Sequence, residues 1–187
     1  MSLRIAGVLV ALSVMAFGAQ ASNLDLNLGS NAAAVDFSTN LTNTGLQGDL
    51  GYLHHTSQVD IGSAGVQVVG NSNPVGSPFI FAVGGKVFFI SPKQYNGNGT
   101  VLGLGGSFDY TWPTYNRFHI GGELYYAPNI VSFNNADRYL QYGVKAGYEI
   151  LHNADLYVGY RHITAAFTGT STVTLDSTFM VGLNLSF

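Results

Sequence analysis

Residues 179–187 read FMVGLNLSF, and every second side chain is large and apolar: Phe179, Val181, Leu183, Leu185 and Phe187. Met180, Gly182, Asn184 and Ser186 stand between them. Side chains alternate across a β-strand, so this stretch is a strand with one oily side and one small or polar side. The oily side must face either a protein core or a membrane, and the fold depends on which.

The same alternation recurs along the chain. In Val101–Trp112 the oily side is Leu102, Leu104, Phe108, Tyr110 and Trp112, opposite Ser107, Asp109 and Thr111. Arg117–Tyr126 sets Phe118, Ile120, Leu124 and Tyr126 against His119 and Glu123. Leu140–Ile150 sets Tyr142, Val144, Ala146 and Tyr148 against Gln141, Lys145 and Glu149. Phe79–Phe89 hides Lys86, Leu46–Tyr52 hides Gln47 and Asp49, Ala33–Phe37 hides Asp36, and Leu156–Tyr160 is followed by Arg161 on the polar side. Each polar side carries Gly, Ser or Gln with one isolated charge in most strands. A sheet facing bulk water would carry far more Lys, Glu and Thr, so the polar sides are expected to enclose a narrow lumen and the oily sides to face lipid.

Composition agrees. Only 9 % of the 187 residues are charged, against a usual share of about 25 %. The chain holds 24 Gly, 11 Tyr and 12 Phe, and no stretch beyond the N-terminus approaches the roughly 18 uninterrupted apolar residues of a membrane helix. With no Cys and a formal charge of −3, disulfides and thiolate metal sites are excluded and nucleic acid is not an expected partner. Arg4, an apolar run from Ile5 to Phe17 and the tripeptide Ala19-Gln20-Ala21 form a secretory signal with an A-x-A site. Residues 1–21 are therefore expected to be removed before Ser22, leaving 22–187 as the barrel.

We expect an all-β, antiparallel up-and-down transmembrane barrel. Eight strands read clearly, at 46–55, 59–70, 79–91, 100–112, 117–127, 138–151, 154–167 and 174–187. Leu24–Leu28 and Ala32–Thr39 either form a further hairpin, giving ten strands, or lie apart and leave eight; bacterial barrels take even numbers, and ten is the preferred reading. Short turns at Pro113–Asn116 and around Asn153 alternate with longer segments at Pro92–Gly99, Pro128–Asp137 and 168–173. With the C-terminus on the periplasmic side, the longer ones fall outside. The short turn at His55–Gln58 also falls outside and the longer Asn71–Pro78 inside, which fit that asymmetry less well.

The run GGELYYAPNIVSFNNADRYLQYGVKAGYEILHNADLYVGYRHI (121–163), with TGLQGDLGYLHH, GGKVFF and the terminal LDSTFMVGLNLSF, resembles the YfaZ family of bacterial outer-membrane proteins. The resemblance implies an outer-membrane barrel in a Gram-negative cell. It implies no activity and carries no catalytic, ligand or metal residues across. In that setting the Phe179, Val181, Leu183, Leu185, Phe187 pattern is expected to act as the signal read by the barrel-assembly machinery. Outer-membrane lipid and lipopolysaccharide are the expected surroundings.

The polar sides collect Asp36, Asp49, Lys86, Asp109, Glu123, Lys145, Glu149 and Arg161. Enclosed charges must be paired or hydrated, so they are expected to form a network within a largely filled polar interior. The alternative is a narrow, cation-favouring, porin-like channel lined by the acids. A third reading is a lipid-modifying enzyme using His55-x-Ser57, whose residues share one side of a strand, but the next strand has no Glu to orient the His, only Asn71 and Asn73 near its end. The expectation is thus a non-enzymatic membrane component of structural or interaction role, without cofactor, with its longer external loops as the contact surface. Nothing in the sequence sets an oligomeric state.

Overall fold

The computed structural model describes residues 22–41, 45–71, 78–94, 97–169 and 171–187. The signal segment and parts of four connections lie outside the described residues. Ten long strands close a single antiparallel wall. In chain order they are β1 (Ser22–Gly29), β2 (Ala32–Asn40), β3 (Leu46–His55), β4 (Val59–Asn71), β5 (Phe79–Pro92), β6 (Gly99–Thr111), β7 (Phe118–Ala127), β9 (Ala136–Leu151), β10 (Ala154–Phe167) and β11 (Val173–Ser186). The three-residue β8 (Ser132–Asn134) precedes β9 and pairs with the external end of β6. β1 pairs with both β2 and β11, which closes the cylinder and leaves no free edge. The first hairpin is therefore part of the wall, and the ten-strand reading holds.

The β1–β11 seam ends at the periplasmic rim, where the Ser22 amide donates to Phe187 O at 2.8 Å and the Phe187 amide returns to Ser22 O at 2.9 Å. On that rim the turn before β3 needs Gly45. Its φ is +83°, and a Cβ there would sit 2.6 Å from Val69 O. At the opposite, external rim, neighbouring turns are tied by backbone bonds from Thr56 to Asn31, Lys93 to Gln58 and Thr168 to Asn135, each 2.8 Å.

The oily sides point outward as the alternation requires. Val158, Val181, Val144 and Leu124 are more than half exposed around the middle of the wall. Aromatic rings flank them: Phe79, Phe108, Tyr110, Trp112 and Phe118 toward the periplasmic rim, and Tyr142, Tyr160 and Phe179 toward the external one. Leu140 to Ile150 on β9 runs about 33 Å along the strand at the usual rise. Tilted by roughly 40°, that matches the apolar band of about 25 Å expected of an outer-membrane barrel.

Above the external girdle the pattern inverts. Outward positions become His54, Asp60, Ser91, Thr100, Arg138, Thr164 and Ser177, while Val59, Ile61, Ile90, Val101, Tyr139, Ile163, Ala165 and Leu175 are buried inside. There the wall has left the hydrocarbon, and it packs as a water-soluble barrel does, oil inward. This corrects the expected polar, largely filled interior: the external end is filled by apolar side chains, and the rest is not filled.

One break in alternation makes this packing possible. Ile163 of β10 pairs with Asp176 of β11, but Thr164 pairs with Thr174, so Leu175 is an extra residue, a β-bulge. Both Leu175 and Asp176 thereby turn inward, each 1 % exposed.

Candidate functional site

Beneath the apolar packing lies a cavity of about 680 Å3. It runs from the periplasmic rim, at Asn23, Asn116, Arg117 and Ser186, to a floor of Leu53, Ile61, Phe88 and Ile163. Those four floor residues belong to the external apolar cluster or border it directly. The interior is therefore a cup, open toward the periplasmic rim and blind at the external end.

Seven carboxylates line it, those of Asp25, Asp36, Asp49, Asp109, Glu123, Glu149 and Asp155, against four basic groups, Lys86, Arg117, Lys145 and Arg161. They fall into separate clusters. Lys86 Nζ lies 2.9 Å from Asp49 Oδ1 and 4.8 Å from the centre of the Tyr125 ring. The same Asp49 accepts from Gln67 Nε2 at 2.9 Å, and Gln67 Oε1 accepts from the Tyr125 hydroxyl at 2.8 Å. Glu123 accepts from Gln141 Nε2 at 2.8 Å, and Gln141 Oε1 accepts from the Tyr139 hydroxyl at 2.6 Å. Asp25 accepts from the Tyr157 hydroxyl at 2.5 Å and stands 4.0 Å from Lys145 Nζ. Asp109 meets His119 Nδ1 at 3.0 Å, and Glu149 lies 3.7 Å from the exposed His152.

Arg161 is the most deeply held of the four basic groups. Its Nε donates to Asp176 Oδ2 at 2.8 Å and its Nη1 to Asn27 Oδ1 at 3.0 Å, while Thr178 donates to the other Asp176 oxygen at 2.6 Å. Asp36 is the opposite case. It faces Asp25 directly across the β1–β2 pair, is exposed to the cavity, and among the described residues has neither an ion-pair nor a hydrogen-bond partner. Asp36→Asn should therefore leave the unfolding free energy within about 1 kcal/mol of wild type, because no partner is lost. Urea unfolding of the vesicle-folded barrel checks this, and a larger loss would reveal a partner for the carboxylate.

Several of these groups were readable in period two but are absent from the sequence-derived set. Asp25 and Asn27 alternate with Leu24, Leu26 and Leu28, and Asp155 shares the side of Tyr157. Asp176 follows from stepping back two at a time from Met180. Uncharged Gln67, Tyr125, Tyr139, Gln141 and Tyr157 carry much of the bonding, and no charge marked them.

The His55-x-Ser57 pair does not form a dyad. His55 is buried at the end of β3, and its Nδ1 accepts from the backbone amides of Ser57 at 3.3 Å and Gln58 at 3.2 Å. The ring thus closes the turn to β4. Adjacent His54 points outward to Asp60 at 2.6 Å, and Lys93 joins that Asp at 3.1 Å on the external rim. Asn73 and the side chain of Asn71 lie outside the described residues. His162 lies outward against Tyr142, 5.1 Å between ring centres.

A family profile described as YfaZ precursor matches residues 1–187. The chain belongs to the YfaZ family. A relative from Escherichia coli (strain K12), named Outer membrane protein YfaZ, is 28 % identical over 187 residues, covering 98 % of this chain and 96 % of its own. This YfaZ-family chain is accordingly an outer-membrane β-barrel protein. Solved barrels resemble it more loosely. A KdgM porin in complex with disordered oligogalacturonate is 15 % identical with a TM-score of 0.48, over 89 % of this chain and 99 % of that one. The outer membrane channel DcaP of Acinetobacter baumannii is 9 % identical with a TM-score of 0.45, over 91 % of this chain and 60 % of that one.

Proposed function

We propose that this YfaZ-family barrel is a non-enzymatic component of the outer membrane, closed to through-passage at rest, that presents its external turns and loops as a contact surface. The observation that carries this is the apolar packing across the external end of the lumen. Water and ions do not cross a fully apolar constriction readily, since it dewets. Reconstituted in planar bilayers, the wild-type protein should show no steady conductance. Persistent current steps at low voltage would overturn the reading.

The non-enzymatic part rests on His55, whose Nδ1 is already occupied by two amides and whose neighbour Ser57 offers it an N–H rather than a hydroxyl. Overexpression should leave membrane lipid profiles unchanged, and new lipid products that vanish on Ser57→Ala would refute it. Export and assembly belong to the same proposal. Cleavage before Ser22 would leave that residue, bonded to Phe187 across the closing seam, as the mature N-terminus, which mass spectrometry should find. Phe179, Val181, Leu183, Leu185 and Phe187 face lipid and lipopolysaccharide, a row that the assembly machinery would read.

A further inference from the structure

We infer that the apolar packing at the external end is a gate, and that the cup beneath it is the vestibule of a cation pathway. This rests on the reading of a barrel closed at rest.

The centre of the packing is three rings. Phe88 lies 4.6 Å from Tyr139 and 6.0 Å from Tyr125 between ring centres. Two of the three are latched from below, Tyr125 to Gln67 and Tyr139 to Gln141. Their hydroxyls thus point toward the charged belt while their rings stay in the oil. The wall behind them is bare backbone. A Cβ at Gly103 would come 2.8 Å from the Phe88 ring, and one at Gly105 would come 2.8 Å from the Tyr125 ring.

Close-packed cores resist rearrangement because a displaced ring has nowhere to go. Here the packing borders an open volume of about 680 Å3. Phe88 already lines that space, as do Gln67 and Gln141, the hydrogen-bond partners of Tyr125 and Tyr139, so a displaced ring has an adjoining volume to enter. What holds the rings up is one neutral hydrogen bond each plus apolar burial, with Lys86 Nζ also 4.8 Å over the Tyr125 ring. Two arrangements of the same side chains are therefore available, one dry and sealed, one wetted.

The charge balance of the vestibule sets what would pass. Seven carboxylates face four basic groups, and Asp36 is open to the cavity with no basic group in ion-pair contact among the described residues. Such a vestibule concentrates cations and repels anions.

The test uses the full-length mature protein in planar bilayers under a potassium chloride gradient. Gln67→Leu with Gln141→Leu removes both latches and keeps every ring; it should produce transient openings that wild type lacks. Phe88→Ala with Tyr139→Ala removes two of the three rings; it should conduct steadily, with a reversal potential on the potassium side. Adding Asp36→Asn and Glu123→Gln to the latter should reduce the cation preference. If the ring-deleted barrel, shown folded by its heat-modifiable gel mobility, stays silent or prefers chloride, the gate is refuted. If that variant does not fold, the latch variant decides, and openings no more frequent than wild type overturn the proposal. Steady conductance of the wild type would instead defeat the closed-barrel reading, so the two failures are distinguishable.

Discussion

Asp176→Asn is expected to destabilise the barrel by about 3–5 kcal/mol, the loss usual when one partner of a buried ion pair is removed. Asp176 is 1 % exposed and Arg161 5 %, so the guanidinium left behind has no bulk water to turn to. An Asn in its place still offers one oxygen, but the charge is no longer matched. The remaining contact, from Arg161 Nη1 to Asn27, is neutral, and Thr178 loses a charged acceptor as well. Urea unfolding of the protein folded into lipid vesicles measures the effect. Replacing both partners, Arg161→Met with Asp176→Leu, should recover most of the loss, because two apolar side chains need no compensation and the cluster around Ile163 and Leu175 adjoins them. A single-variant loss below about 1 kcal/mol would mean that water reaches the guanidinium and that the pair is not truly buried.

The second large effect tests which side faces lipid. Val158 is 60 % exposed, pairs with Val181 on one side and Ala146 on the other, and lies near the middle of the outward band. Val158→Arg should lose about 2–4 kcal/mol, the midplane cost of an Arg on the lipid face of such a barrel. Asn184→Arg is the matched control. Asn184 faces the cavity, and its direct cross-strand neighbours are Asp25 and Asp155, so a cation there gains two carboxylate neighbours. Its unfolding free energy should stay within about 1 kcal/mol of wild type. Equal tolerance of the two arginines, read in the same vesicle assay, would contradict the outward orientation of the wall.

Much of this arrangement was legible residue by residue. Lys86 between Gly84 and Phe88, or Glu123 between Gly121 and Tyr125, identifies an inward side because a lone charge in an alternating strand has no other place. The first hairpin was legible too, since Leu24, Leu26 and Leu28 alternate as strictly as Leu183, Leu185 and Phe187, with which β1 and β11 share their closing seam. Leu175 is the exception. Strict alternation sends it outward with Ser177 and Phe179, but an extra residue in β11 turns it inward beside Asp176. A bulge leaves no mark in a period-two pattern beyond a single misplaced residue, and one Leu on a polar side is not a signal.

The partners of the interior charges were hidden for a related reason. Arg161 and Asp176 are 15 residues apart, and Tyr157 and Asp25 are 132 apart; only strand register and barrel closure bring them together. The alternation of oily and polar residues, read along the chain alone, established a two-sided wall, its orientation in the membrane and ten as its preferred strand number. It did so because a strand sends successive side chains to opposite faces whatever its surroundings. Height along the barrel axis is another matter. It depends on how each strand is staggered against the next, and that stagger is a property of the closed cylinder. Only the tertiary structure therefore decided that the interior is oil above and water below, where the blind floor lies, and which acid meets which base.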